Sequence, residues 1–274
     1  MTTNSKSERR SNQTTQISNR MNKVSPIPLE RKLKKAIALL NTFSEFTEYQ
    51  HGPRNPYLKW LGTNPALTRA QVIRFLCFWY PVSRHQPQIL LKIAAAYPNW
   101  ADRRLIMLNY WEEDGMAKPG DSPHYDLLEA LIEKMGGKLK IDRQADKLVT
   151  QFHKTLDRMT PAQATGYVAA IEHPALDISA YFRTIIRLCG HSKLLTTDPY
   201  LTIHVDVEPD HIIWAHGNAL RHMKTDSTGE ILDAYQKAMS FWEEFWSLAF
   251  TRLNYPGNRA AQIDLSPAIK PRKN

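Results

Sequence analysis

The stretch YLTIHVDVEPDH, Tyr200 to His211, places His204, Glu208 and His211 at offsets of 0, 4 and 7. On a helix, at roughly 100° per residue, the three side chains fall within an arc of about 60°. Two imidazoles and a carboxylate on one stripe make poor core packing and a good half of a transition-metal site. The stretch therefore asks for a helical setting and for further ligands from other helices. Pro209 follows Glu208 directly, and a residue before proline is pushed away from the α region. Either the helix kinks there, or Pro209 starts a new one and Asp206 and Asp210 become substitutes for Glu208.

Working outward, the flanking sequence is helical throughout. Asp198-Pro199 introduces the striped helix, and a last long helix covers about 230–253. Upstream, Leu29, Leu33, Ile37, Leu40 and Phe43 recur at three- and four-residue steps, ended by Gly52-Pro53. Thr68 caps a second helix through Val72, Phe75, Leu76 and Trp79, which Pro81 and Pro87 kink or divide. Asn99 opens a third, ADRRLIMLNYWEED, stopping at Gly115. Ser122-Pro123 reads as an N-cap followed by proline at the first helical position, so that His124 stands second in the next helix. Further helices are expected at 142–159, at 161–173 behind Thr160-Pro161, and from about Asp177 to Leu188. No alternating run bounded by turn dipeptides marks a strand. The fold class is all-α, a helical bundle of about eight helices in one domain.

Three residues on the other helices suit the missing half of the site. Glu172 lies near the end of an otherwise apolar helix, YVAAIEHPAL, where an unpaired carboxylate is expensive. Glu113 ends the third helix in NYWEEDG, with Glu112 as the alternative register, and His124 begins the helix that follows. Each alone has a plain structural reading, as a surface acid, a first-turn residue or a salt-bridge partner. The six together outweigh those readings.

Composition narrows the rest. The net charge of +9 sits in the tails: residues 1–35 carry nine basic and two acidic residues, Lys270, Arg272 and Lys273 add three more positive charges, and 36–269 is left at −1. A nucleic-acid reader carries its charge on the folded surface, so nucleic acid is not an expected partner. No apolar run spans a bilayer, and no membrane association is expected. Residues 1–27 are polar and cannot support a core, which reads as a disordered basic tail; 28–255 form the helical domain and 256–274 a basic C-terminal tail. Cys77 and Cys189 read as buried free thiols of a reducing, cytoplasmic compartment.

The ordered set NYWEEDG…H, a glutamate about fifty residues on, then H-x3-E-x2-H resembles the heme-oxygenase-like di-iron oxidases, relatives of thiaminase II and the pyrroloquinoline-quinone synthesis protein C. The resemblance covers roughly 68–254. It implies a heme-oxygenase-like bundle and a metal set in which Glu113, His124 and Glu172 hold one iron, with Glu172 or another carboxylate bridging. His204, Glu208 and His211 hold the second. Glu208 stands where aspartate is more usual, and the further upstream carboxylate of some members has only Asp102 to supply it here.

The activity implied is oxidation of a small, amino-acid-derived or carboxylate-bearing metabolite, with two ferrous ions activating O2 through a peroxo-bridged stage. Manganese is an alternative metal. An external electron donor and a homodimer are compatible with this reading. Tyr80, Arg84, Tyr110 and Arg183 are the candidate substrate-binding residues, with Trp79, His85, Trp111 and Tyr181 beside them. Two competing readings are a metal-free thiaminase-II-like or quinone-synthesis-like enzyme of the same fold, and a non-enzymatic helical interaction protein.

Overall fold

Short polar caps set where the helices begin. Thr68 and Thr160 each close a capping box, with Gln71 and Gln163 respectively. The side chains of Asn99, Asp142 and Asp198 accept from backbone N–H groups one turn on, satisfying donors the helix itself leaves open. Proline occupies the first turn behind Thr160 and Asp198, where its missing N–H costs nothing.

The computed structural model describes residues 28–44, 67–224 and 227–252. Among them the elements run α1 (Leu29–Ser44), α2 (Arg69–Ala96), α3 (Trp100–Glu113), α4 (His124–Lys134), α5 (Arg143–Thr155), α6 (Pro161–Glu172), α7 (Ala175–Leu188), the single turn α8 (Leu194–Thr197), α9 (Pro199–His222) and α10 (Thr228–Arg252), with no strand. The expected tails at 1–27 and 256–274, and the Gly52-Pro53 stop, lie outside the described residues. None of the described helices is long and apolar enough to cross a membrane.

At the prolines the structure selects one of the open alternatives, and at Ser122 it corrects the expectation. Pro81 and Pro87 do not divide α2, which runs unbroken through both. Each proline costs the helix one hydrogen bond, and burial of most of the flanking 75–83 segment against α3 to α7 offsets it. Pro209 likewise sits inside a continuous α9. Ser122 does not cap α4: Pro123 is the N-cap, without a side-chain bond, and His124 is the first helical residue.

The core is aromatic around Trp79. Its ring stacks on Trp242 and Trp246 of α10, with centroids 5.9 and 5.8 Å away, and its Nε1–H donates to the Tyr200 hydroxyl of α9 at 3.1 Å. α6 is buried from Ala164 to Glu172, as a helix that is apolar on all sides must be. It packs on α10 through Gly166: a Cβ there would lie 2.2 Å from the Ile231 carbonyl oxygen and 2.9 Å from the Ala234 Cβ. That close approach holds the helix that ends in Glu172. Both cysteines are free thiols, Cys77 buried and Cys189 only half-buried, against the expectation for the latter.

Candidate metal centre

Four helices converge on one polar spot inside this core. α3 contributes Glu113, α4 His124, α6 its last residue Glu172, and α9 the stripe His204, Glu208 and His211. All but His204 are buried, with Glu172 3% and His124 1% exposed. Continuity of α9 through Pro209 keeps the stripe on one face. Glu208 turns inward while Asp206 and Asp210 are exposed, Asp210 pairing with Lys32 of α1.

His124 meets Glu113 because the chain reverses sharply between α3 and α4. Gly115 takes φ +67°, and a Cβ there would lie 2.4 Å from the Pro123 nitrogen. Only glycine combines that dihedral with that approach. The return brings His124 Nδ1 to 3.0 Å from Glu113 Oε2. Two donors each about 2.1 Å from one ion, at right angles, are about 3 Å apart.

The other distances tie the remaining residues together. His211 Nδ1 lies 3.6 Å from Glu208 Oε2 and 3.8 Å from Glu172 Oε2. Glu172, Glu208 and His211 each offer one donor atom within 4.8 Å of the others. His204 Nε2 is 4.0 Å from Glu208 Oε1, and the rings of His124 and His204 have centroids 4.8 Å apart. Glu172 thus groups with Glu208 and His211 more closely than with Glu113 and His124, a division that sequence order did not show.

Neighbouring groups hold these side chains in place. His204 Nδ1 is bonded to the Tyr200 carbonyl at 2.6 Å, which makes it the protonated nitrogen and leaves Nε2 as the donor facing Glu208. Glu112 meets a different histidine from Glu113. Its Oε2 lies 2.7 Å from His211 Nε2, leaving Nδ1 toward the carboxylates. Carboxylates placed behind a metal-binding imidazole fix its tautomer and orientation. Asn109, one turn before Glu113 and buried, donates through Nδ2 to Glu172 Oε1 at 2.9 Å. Asn109 went unassigned in the sequence, although it stands in NYWEEDG on the Glu113 side of α3. Asp102 is engaged elsewhere, 3.3 Å from His222 and 3.7 Å from Arg221.

The electrostatics are those of a site short of positive charge. Burial pushes the Glu113 carboxyl up, but His124 beside it, with His204 and His211 behind, brings it down to about 2. Burial lowers His124, and Glu113 more than restores it. His204 is lowered by burial and by His124. Burial opposes protonation of His211, yet its bonds to Glu112 and Glu208 carry it well above the usual imidazole range. Glu172 is raised to about 8, first by burial and then by Glu208 and Glu113.

A carboxyl raised on folding costs stability progressively as pH climbs from its unfolded value toward its folded one. Through Glu172 the metal-free protein should therefore become less stable as pH rises from about 5 to 8. Scanning calorimetry across that range checks this, with Glu172→Gln expected to flatten the dependence.

The donors fit a bound metal. Among the described residues His124 Nε2 has no hydrogen-bond partner, in a residue that is 1% exposed, and a buried polar atom so left calls for a further partner. All donors are imidazole nitrogens and carboxylate oxygens, which suit iron and manganese. Glu112→Ala should weaken metal binding by about 10- to 100-fold by freeing the His211 ring, and Glu112→Gln, which keeps an acceptor, should restore part of it. Ferrous titration monitored by competition with a chelator measures both.

Beside this centre lies a cavity of about 70 Å³. Glu113, Glu172, His204 and Glu208 form part of its wall, with Trp79, Ile178, Phe182, Leu201 and Trp242 as apolar surface and Ser83, Gln86, Ser179 and Arg183 as polar surface. Of the four candidate substrate residues, only Arg183 lines it. Tyr80 is buried with Glu129 and Asp126 of α4 as charged neighbours, Arg84 pairs with Asp146 at 2.6 Å, and Tyr110 donates to Asp114 at 3.0 Å. Trp79 also lines the cavity, whereas His85, Trp111 and Tyr181 do not.

Comparison with known proteins agrees with this architecture. The profile of the family described as iron-containing redox enzymes matches residues 73–243. Two crystal structures of a CADD-like protein of unknown function from Nostoc punctiforme are similar to this chain. One has a TM-score of 0.63 at 16% identity, covering 82% of this chain and 100% of its own. The other has a TM-score of 0.60 at 13% identity, covering 82% and 96%. A domain of unknown function with a heme oxygenase-like fold from Shewanella denitrificans aligns with a TM-score of 0.55 at 12% identity, covering 83% of this chain and 94% of its own. At these identities the likeness shows the fold, a heme oxygenase-like helical bundle. No curated protein matches the sequence.

Proposed function

The chain belongs to the iron-containing redox enzyme family, and on that premise we propose that it is a non-heme di-iron oxidoreductase that uses O2 to oxidise a small carboxylate-bearing or amino-acid-derived metabolite. The observation that supports this most is the convergence of three buried carboxylates and three histidines from four helices, with an unpartnered His124 nitrogen among them. Glu113, His124, Glu172, His204, Glu208 and His211 would be the metal ligands in this reading, with Glu172 beside Glu208 and His211. Two ferrous ions held there would supply dioxygen activation.

The protein's own groups then have separable tasks. The carboxylates balance the charge of the metals and favour their higher oxidation state. Tyr200 and Glu112 hold the donor nitrogens of His204 and His211 inward. Asn109 fixes one oxygen of Glu172 and leaves the other toward His211. The apolar wall of Trp79, Ile178, Phe182 and Trp242 keeps bulk water from the reacting substrate.

The test is oxygen uptake by the ferrous-loaded protein at an oxygen electrode. Uptake should follow the amount of iron loaded and fall at least about 100-fold in His204→Ala. Uptake independent of iron would instead support the metal-free chemistry of the same fold.

A further inference from the structure

Arg183 is the cationic side chain on the cavity wall, and it also lines an outer groove with Ala180, Thr184, Arg187 and Leu195. It therefore stands where the cavity meets the exterior. Its Nη1 donates to the Leu195 carbonyl at 3.0 Å and to the Leu201 carbonyl at 3.2 Å, tying α7 to α8 and α9. That structural task uses one nitrogen only. Nε and Nη2, which form the parallel fork that pairs with a carboxylate in a side-on bidentate contact, have no partner among the described residues, and no carboxylate lies within ion-pair distance of the guanidinium there. Arg187, one helical turn on, adds a second positive charge at the groove, and like charges so spaced on a helix are unfavourable without an anion between or near them.

The remaining charged groups on the wall are Glu113, Glu172, Glu208 and the His204 imidazole, all assigned to the metals above. Among the described residues no other acid lines the cavity to receive an ammonium group. The rest of the wall carries no charge: its apolar surface includes Trp79, Ile178, Phe182 and Trp242, with Ser83, Gln86 and Ser179 as neutral polar groups. We propose that Arg183 anchors the carboxylate of the substrate at the cavity mouth, and that the substrate is a monocarboxylic acid with an apolar body and no fixed positive charge. This rests on the reading that the cavity serves the metal centre, and it narrows the substrate class by setting α-amino acids aside.

Calorimetric titration of the full chain with octanoate, 1-octanol and 2-aminooctanoate, metal-free and again with ferrous iron under anaerobic conditions, tests it. Octanoate should bind at least about tenfold tighter than either analogue in both states, the scale expected of a charge-assisted pair. Arg183→Gln should weaken octanoate at least about tenfold and leave octanol unchanged, which also shows that the cavity is intact. Arg183→Lys, a point charge that keeps a donor but not the fork, should fall between. Unchanged octanoate affinity in Arg183→Gln, equal or tighter binding of 2-aminooctanoate, or no binding of octanoate would each overturn the proposal. Octanoate binding that depends on Arg183 in a protein that takes up no iron would sink the di-iron reading alone.

Discussion

Glu172→Ala is expected to weaken ferrous binding by more than about 100-fold and to abolish iron-dependent oxygen uptake. The estimate starts from the loss of 10- to 100-fold typical when a group merely behind a metal ligand is removed. Glu172 is more central than that: it reaches toward His211, neighbours Glu208, and is held by Asn109. Its loss removes a donor from the place where the two halves of the site meet. Glu172→Gln, which keeps an acceptor for Asn109 and removes a carboxyl raised by burial and by its acidic neighbours, should also lose metal yet make the metal-free protein more stable near neutral pH. Chelator competition and metal-free thermal melts on one variant therefore give opposite signs. A variant weakened in both would mean that Glu172 serves packing instead.

Gly166→Ala is the larger effect on folding. The added methyl would lie 2.2 Å from the Ile231 carbonyl oxygen and 2.9 Å from the Tyr235 nitrogen. Both are backbone atoms of α10, so relief requires moving the helix and with it the stacked Trp242 and Trp246. Overpacking of this kind costs about 1–3 kcal/mol and sometimes more, partly offset by the better helix propensity of alanine, about 1 kcal/mol. A net loss on the order of 2 kcal/mol by urea unfolding is expected, together with weaker iron binding, because Glu172 ends the displaced helix. Unchanged stability would show that the α6–α10 contact is looser than these distances imply.

What could be read from the chain alone followed local rules. The caps at Thr68, Asn99, Thr160 and Asp198 and the three-residue stripe in α9 depend on neighbours within one or two turns, and all are visible in spacing. Pro81, Pro87 and Pro209 were ambiguous because local propensity favours a break, while burial of the surrounding segments, decided by distant helices, holds the helix together. Arginines show the same limit. Arg84 and Arg183 look alike in sequence, but Asp146, sixty-two residues away, neutralises one of them, while the other is left at the cavity mouth. The grouping of Glu172 with Glu208 and His211, and the pairing of Glu112 with His211, are likewise set by how α3, α6 and α9 meet.

The most direct test of the account is anaerobic titration of the metal-free protein with ferrous iron, followed by counting the bound metal. The account predicts about two ions per chain, the number that carboxylates and histidines from four helices hold in a bundle core, falling to one or none in Glu172→Ala. No uptake by the wild-type protein, or uptake that Glu172→Ala and His204→Ala leave unchanged, would contradict the metal centre described above.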